Sequence, residues 1–204
     1  MQKTILLGVV LALAAGLFAA DDKPQRTEAQ RKAMASIQQL GGLVMELAQN
    51  DSRLEVSYQQ AGGKFSDDYL VPLKDLKDIV HLNLGGKDVT DAGLSHLKGL
   101  TTLTRLHLEK TKITDKGLED LKGLVNLEYL NLYGTAITDA GLINLEGLKK
   151  LKSLYLWQTK VTDAGVARLK KALPRAEIVR GFEEDKPKVE KKPPEKKPAG
   201  KKTK

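Results

Sequence analysis

The sequence predicts an α/β solenoid, a stack of strand–turn–helix coils that share one parallel sheet. Three observations carry this expectation. The dipeptide Thr-Asp occurs at 90–91, 114–115, 138–139 and 162–163, at a spacing of 24 residues each time. Around it, every copy runs a segment of strand period into a segment of helix period. The apolar residues are aliphatic, since only nine of 204 are aromatic, and leucine returns at the same places in each copy. Self-similarity at a fixed period of a few tens of residues marks units that bury their apolar faces only against neighbours.

The four copies are IVHLNLGGKDVTDAGLSHLKGLTT (79–102), LTRLHLEKTKITDKGLEDLKGLVN (103–126), LEYLNLYGTAITDAGLINLEGLKK (127–150) and LKSLYLWQTKVTDAGVARLKKALP (151–174). In the second copy Leu103, Leu106 and Leu108 mark a short strand whose Leu106 and Leu108 point inward. Thr111 offers a hydroxyl to the turn backbone, and Thr135 and Thr159 repeat it, while Lys87 breaks the series in the first copy. Ile113 packs under the turn. Thr114 and Asp115 then begin a helix, the threonine as cap and the aspartate as an acid at the positive helix end; Thr90-Asp91, Thr138-Asp139 and Thr162-Asp163 take the same roles. Leu118 and Leu121 face the core. Gly99, Gly123 and Gly147 are expected to close each helix in the left-handed conformation. A stacked row of four aspartates also invites a metal reading, but the short glycine-rich turn of a calcium-binding repeat is absent, and helix capping is the expectation.

This pattern, LxxLxLxxTxITDxGLxxLxxL, resembles the leucine-rich repeat family in its exported bacterial form, over residues 79–174. The resemblance implies a short solenoid with a parallel sheet on its concave face, short helices on its convex face, and a role in binding protein.

The solenoid needs closed ends. FSDDYLVPLKDLKD (65–78) aligns with VTDAGLSHLKGLTT (89–102), so residues 55–78 read as a degenerate first repeat. Residues 21–58 read as an N-terminal cap: a helix from Thr27 to Leu40, stopped by Gly41-Gly42, then a hairpin in which Leu43, Met45 and Leu47 alternate before Leu54, Val56 and Tyr58. Residues 175–182 read as a closing strand, which bounds the solenoid at 55–182. The segment 1–20, with Lys3 ahead of an apolar run to Phe18 and Ala19-Ala20 before Asp21-Asp22, reads as an export signal, cleaved after Ala20 or retained as an anchor. Residues 183–204 form a Lys/Pro-rich tail that lacks the apolar residues needed to order itself. It holds nine lysines against five acids, so about half of the net charge of +8 belongs to the tail rather than to the solenoid.

Composition removes several classes of function. With no cysteine there is no disulfide scaffold, thiolate metal site or cysteine nucleophile. Three histidines, His81, His96 and His107, stand in no triad order and bring no third ligand for zinc. Gly85-Gly86 follows a strand without the rest of a phosphate-binding pattern. The expectation is a protein that is no enzyme and takes no cofactor or metal.

The positions that do not repeat are the informative ones. On the concave sheet the third position of each repeat is His81, Arg105, Tyr129, Ser153; the fifth is Asn83, His107, Asn131, Tyr155; the seventh is Gly85, Glu109, Tyr133, Trp157. Four of the nine aromatics fall here, gathered in the last two copies, and Tyr, Trp and Arg dominate binding hot spots. Arg105, His107, Glu109, Tyr129, Asn131, Tyr133, Tyr155 and Trp157 are therefore the candidate binding residues. The functional expectation is an exported, non-catalytic module that binds a protein or peptide through this face. Two alternatives stay open: an envelope protein whose basic tail binds anionic polymer or lipid, and a glycan binder whose rings are flanked by Asn131 and Gln158. The tail carries no interleaved aromatics for base stacking, which disfavours specific nucleic acid.

Overall fold

The structure, a computed structural model, describes residues 25–49 and 51–181. The export-signal segment 1–20, residues 21–24 of the cap, Asn50, Phe182 and the tail 183–204 lie outside the described residues.

The chain opens with α1 (Glu28–Gln39), whose Thr27 accepts from the Gln30 N–H while the Gln30 side chain accepts from the Thr27 N–H, a reciprocal capping box. Gly41, at φ 79°, turns the chain into β1 (Leu43–Glu46), which pairs antiparallel with β2 (Leu54–Ser57). From β2 onward every pairing is parallel and in chain order: β3 (Ile79–Asn83), β4 (Arg105–His107), β5 (Tyr129–Asn131), β6 (Ser153–Tyr155) and β7 (Glu177–Val179). Leu82, Leu106, Leu130, Leu154 and Ile178 lie side by side in one register row. The opposite wall carries α2 (Asp91–Leu94), α3 (Asp139–Leu142) and α4 (Asp163–Ala172), with 3₁₀ turns at Asp67–Asp75, Ser95–Leu97, Gly117–Leu121 and Ile143–Leu145. The second coil has no α-helix, only the 3₁₀ turn. This is an α/β leucine-rich solenoid with its sheet on one wall and short helices on the other.

The core is a continuous aliphatic column. Leu103, Leu106, Leu108, Ile113, Leu118, Leu121 and Leu124 of one coil are fully buried, and the equivalent residues of the next coil stack on them. Thr111, Thr135 and Thr159 donate their hydroxyls to the Leu108, Leu132 and Leu156 carbonyls at 2.6–2.7 Å, so each turn satisfies a carbonyl within its own coil. In the first copy Lys87 reaches instead to the Ala61 carbonyl at 2.7 Å.

The Thr-Asp pair does more than cap. Thr90 and Thr138 accept from the Ala92 and Ala140 N–H groups, and Thr162 accepts from the Gly165 N–H, as caps should. The aspartates act across coils. Asp91 accepts from the Thr114 N–H at 2.7 Å and the Thr114 hydroxyl at 2.6 Å, and Asp115 holds Thr138 and Asp139 holds Thr162 in the same way. Asp67 does this for Thr90, which ties the degenerate first coil to the regular ones. The aspartate is thus a staple between coils more than an acid at its own helix end, because its carboxylate faces the N–H groups one coil further on.

The glycine in Thr-Asp-x-Gly is the other half of this contact. A methyl group on Gly117 would stand 2.5 Å from Asp91 Oδ1 and 2.9 Å from Leu94 Cδ1, and Gly93, Gly141 and Gly165 are crowded by the preceding coil's aspartate in the same manner. These glycines are required by close approach. The glycines expected to be left-handed caps are not: Gly99, Gly123 and Gly147 keep negative φ. Each helical turn there ends by tightening into a 3₁₀ bond, Leu100 N–H to Leu97 C=O, Leu124 to Leu121 and Leu148 to Leu145, all at 3.0 Å, which needs no left-handed residue.

Among the described residues no threonine follows the last coil to receive Asp163. Arg180 takes its place, with one guanidinium nitrogen on the Asp163 carboxylate and the other on the Val161 carbonyl at 3.1 Å. That carbonyl corresponds to those of Val89, Ile113 and Ile137, which accept from the next coil's backbone.

Two measurements check this account. Gly117→Ala should lower stability by about 2 kcal/mol, because it breaks the Asp91–Thr114 staple, whereas Gly123→Ala should leave stability unchanged or raise it by up to ~1 kcal/mol. Denaturant titration of the two variants separates them. The hydrogen bonds from the Thr162 hydroxyl and N–H hold the Asp139 carboxyl below its ordinary value, with Arg168 and Arg180 adding to them against the opposing effect of burial. A depressed folded pKa contributes stability that is complete above the unfolded value of about 4 and is lost as pH falls through the folded value. Thermal melts between pH 2 and pH 7 should therefore show a flatter acid limb for Asp139→Asn than for the parent.

Candidate binding surface

Strands of three residues project only their alternate side chains outward, so the concave surface is three columns wide and as long as the sheet. The register sets the columns. Met45, Glu55, His81, Arg105, Tyr129, Ser153 and Glu177 form one; Leu43, Ser57, Asn83, His107, Asn131, Tyr155 and Val179 form the next. The third is set by the turns after the strands and holds Gly85, Glu109, Tyr133 and Trp157.

The candidate residues gather into two aromatic groups. Tyr129 is the centre of the first. Its ring lies 4.8 Å from the His107 ring and 5.4 Å from Tyr155, and the Arg105 guanidinium sits 4.7 Å from its centroid. Burial, reinforced by Tyr155 and the Glu109 charge, pushes the Tyr129 hydroxyl above its usual range despite Arg105. In the second group Tyr133 and Trp157 stack at 5.1 Å and 20°, with the Lys110 ammonium 5.3 Å from the Tyr133 centroid. Trp157 also packs on Gly181, where a methyl group would come within 2.8 Å of the indole. Stacked and offset ring pairs of this kind add about 0.5–1.5 kcal/mol each beyond their buried area, so the face is preorganised.

Glu109 and Asn131 have inward tasks as well. Glu109 fills the space that Gly85 leaves open, since a methyl group on Gly85 would stand 2.4 Å from Glu109 Oε1. Its Oε2 is buried and lies 3.4 Å from His107 Nδ1, an ion-pair distance without an aligned hydrogen bond. Burial pushes the Glu109 carboxyl up, but the His107 imidazole and a backbone N–H outweigh it and hold the group below its ordinary value. The Asn131 side-chain oxygen accepts from the Tyr133 N–H at 3.1 Å, as Asn83 does from Gly85 at 3.0 Å, so both shape the turn that presents the third column. Among the described residues no three acids and histidines come together in a way that would hold a metal ion.

Three contributors escape the repeat pattern. Lys110 belongs to the second aromatic group. Leu43, Met45 and Leu47 extend the face onto β1. The turn after each strand also holds one left-handed residue, Gly86, Lys110, Gly134 and Gln158, at φ 72°, 54°, 68° and 53°. The signal for this was present in Gly86 and Gly134, which stand in corresponding places two copies apart.

The family model for the leucine-rich repeat matches residues 99–122 and 124–145. No curated protein matches the chain. Among solved structures the chain is similar to internalin C2 of Listeria monocytogenes, at 28% identity over 54% of each chain and a TM-score of 0.43. It is also similar to a leucine-rich repeat protein of Leptospira interrogans, at 23% identity over 56% of this chain and 33% of that one, with a TM-score of 0.40. The chain thus spans about half the length of the first of these structures and a third of the second.

The left-handed turn gives a direct test. A side chain at positive φ costs of order 1–2 kcal/mol that glycine avoids, partly offset by glycine's larger unfolded-state entropy. Gln158→Gly should therefore stabilise the protein by roughly 0.5–1 kcal/mol in a denaturant titration.

Proposed function

This chain is a leucine-rich repeat protein, and we propose that it acts as an exported recognition module that captures a protein or peptide partner on the concave aromatic face of its last repeats. Leucine-rich repeats generally build non-catalytic modules for protein–protein interaction. The observation that carries the finer reading is the pair of aromatic groups around Tyr129 and Tyr133. The inward leucines, the turn threonines and the Asp–Thr staple build the fold without a ring on the concave face, and the rings pack against Arg105, His107 and Lys110. Preorganised rings lose little entropy when a partner covers them.

Export rests on the segment 1–20, with Lys3 ahead of an apolar run and Ala19-Ala20 before Asp21-Asp22. Among the described residues no helix is long and apolar enough to cross a membrane. The mixed charge of the face, with Arg105 and Lys110 against Glu55 and Glu109, favours a partner with interspersed charges over a polyanion.

The test is affinity capture from an envelope extract, with the full chain and a Tyr129→Ala/Tyr133→Ala variant as baits, at ~50 mM and ~500 mM salt. Circular dichroism first confirms that the variant folds. The expected outcome is a protein retained at both salt concentrations by the parent and lost by the variant. Capture that disappears at high salt and ignores the substitutions overturns this reading and moves the function to the basic tail. Elution by sugar in place of a protein band points to a glycan.

A further inference from the structure

The sheet ends at its N-terminal side on β1. β1 is the outermost strand, and among the described residues nothing pairs with its outer side. The Leu47 N–H donates to the Arg53 carbonyl at 3.1 Å, and the antiparallel register places Met45 opposite Glu55 and Leu43 opposite Ser57. Alternation along an antiparallel strand then directs the backbone groups of Leu43, Met45 and Leu47 toward β2 and those of Val44 and Glu46 outward. Natural edge strands are blunted by lysine, proline or an inward charge. This one carries neither lysine nor proline, and its single charge, Glu46 on the Val44 side of the strand, is paired with Arg26 at 3.3 Å.

Its side chains are equally unguarded. Leu43, Met45 and Leu47 are 45%, 43% and 37% exposed, and they follow one another along the concave side of β1 and the residue just after it. Among the described residues the other exposed large apolar side chains, Val125 and Ile143, lie elsewhere in the repeats.

We propose that β1 is a self-association edge, at which two copies of this chain join their sheets antiparallel about a two-fold axis through Met45. The sequence Leu43-Val44-Met45-Glu46-Leu47 is self-complementary in that arrangement. Val44 N–H and C=O meet Glu46 of the second copy, and Glu46 meets Val44, which uses the four outward groups on each strand in hydrogen-bonded pairs. Met45 faces Met45, and Leu43 faces Leu47, so the apolar stripe of each copy covers that of the other. Other centres are worse. A two-fold axis at Glu46 sets two carboxylates opposite each other, and one at Val44 leaves Leu47 uncovered.

Joining at β1 makes one continuous concave surface from two, with an aromatic half at each far end and an apolar seam in the middle. A partner with two equivalent binding segments gains avidity from such a pair. The five-residue segment Leu43–Leu47 buries far less than the ~800 Å² per partner of a standard stable interface, so the association is weak and depends on concentration.

The test uses the full chain, which has no native cysteine. Opposed residues of a non-hydrogen-bonded antiparallel pair have Cα atoms about 4.5 Å apart, within reach of a disulfide. Met45→Cys should form a disulfide-linked dimer under mild oxidation at least about tenfold faster than Leu43→Cys or Leu47→Cys alone, while a mixture of those two should cross-link to each other. Equal rates for all three single variants overturn the proposal. Sedimentation equilibrium provides the second arm: Met45→Lys should weaken self-association at least about tenfold, with an unchanged melting temperature. A parent that stays monomeric to ~1 mM, or self-association that ignores Met45→Lys, also overturns it.

Discussion

The fold depends on the contact between the aspartate of one coil and the Thr-x-x-Gly of the next. A solenoid has no long-range closure, so its geometry is the geometry of a single step applied repeatedly. Parallel strands fix that step along one wall, but three-residue strands leave the other wall free to splay. The staple closes it. Asp91, Asp115 and Asp139 each accept two hydrogen bonds from the following coil, and the bare glycine lets the carboxylate come close enough to do so. The threonine hydroxyl donates to the aspartate of the coil before while accepting from its own helix end, so each junction holds a short relay whose bonds polarise one another.

Both ends show what happens when the step has no successor. At the C-terminal end Arg180 imitates the missing coil, with its planar fork of donors meeting a carboxylate and a carbonyl that the next threonine and the next turn would otherwise take. At the N-terminal end the parallel series is ended by reversing direction, with β1 returning antiparallel on β2 and α1 covering the first turn of the stack. Ala33 and Ile37 close the core beneath it. The ends differ in kind: at one a charge closes the turn and helix start of the last coil, and at the other β1 presents a row of exposed apolar side chains.

The period, the inward leucines, the strands and the turn threonines were legible because each follows from contacts within one coil, at sequence separations of two to four residues. The staple was legible only as a repeated Thr-Asp, and its direction was not. Asp91 and Thr114 are 23 residues apart, and only the pitch of the assembled coils shows that the carboxylate reaches forward. For the same reason the two sets of glycines exchanged explanations. Gly99, Gly123 and Gly147 looked like helix stops, yet the 3₁₀ turn needs none, whereas Gly117 and its equivalents look incidental until the neighbouring coil is present. The column of candidate residues was readable from alternation alone. What they touch was not, since Lys110 over Tyr133 and Glu109 in the gap above Gly85 are contacts between coils.

Uniform pitch has a functional consequence. Because the staple, the leucine column and the turn threonines carry the fold, most positions of the outward columns can change without altering the step between coils; Asn83 and Asn131, which shape the turns, and Glu109, which fills the gap over Gly85, are the exceptions. The face therefore varies along its length while the scaffold beneath it does not: apolar at β1, charged around Glu55, His81 and Arg105, aromatic from Tyr129 to Trp157. Lys110 and Gln158 sharpen this point. They occupy the left-handed turn position where two of the four copies use glycine, at a cost in stability that the fold does not require. The Lys110 ammonium lies above the Tyr133 ring, so a strained turn holds a cation on the stack where the concave face is most aromatic. In the function proposed above, this strained turn beside the stacked rings serves recognition rather than folding.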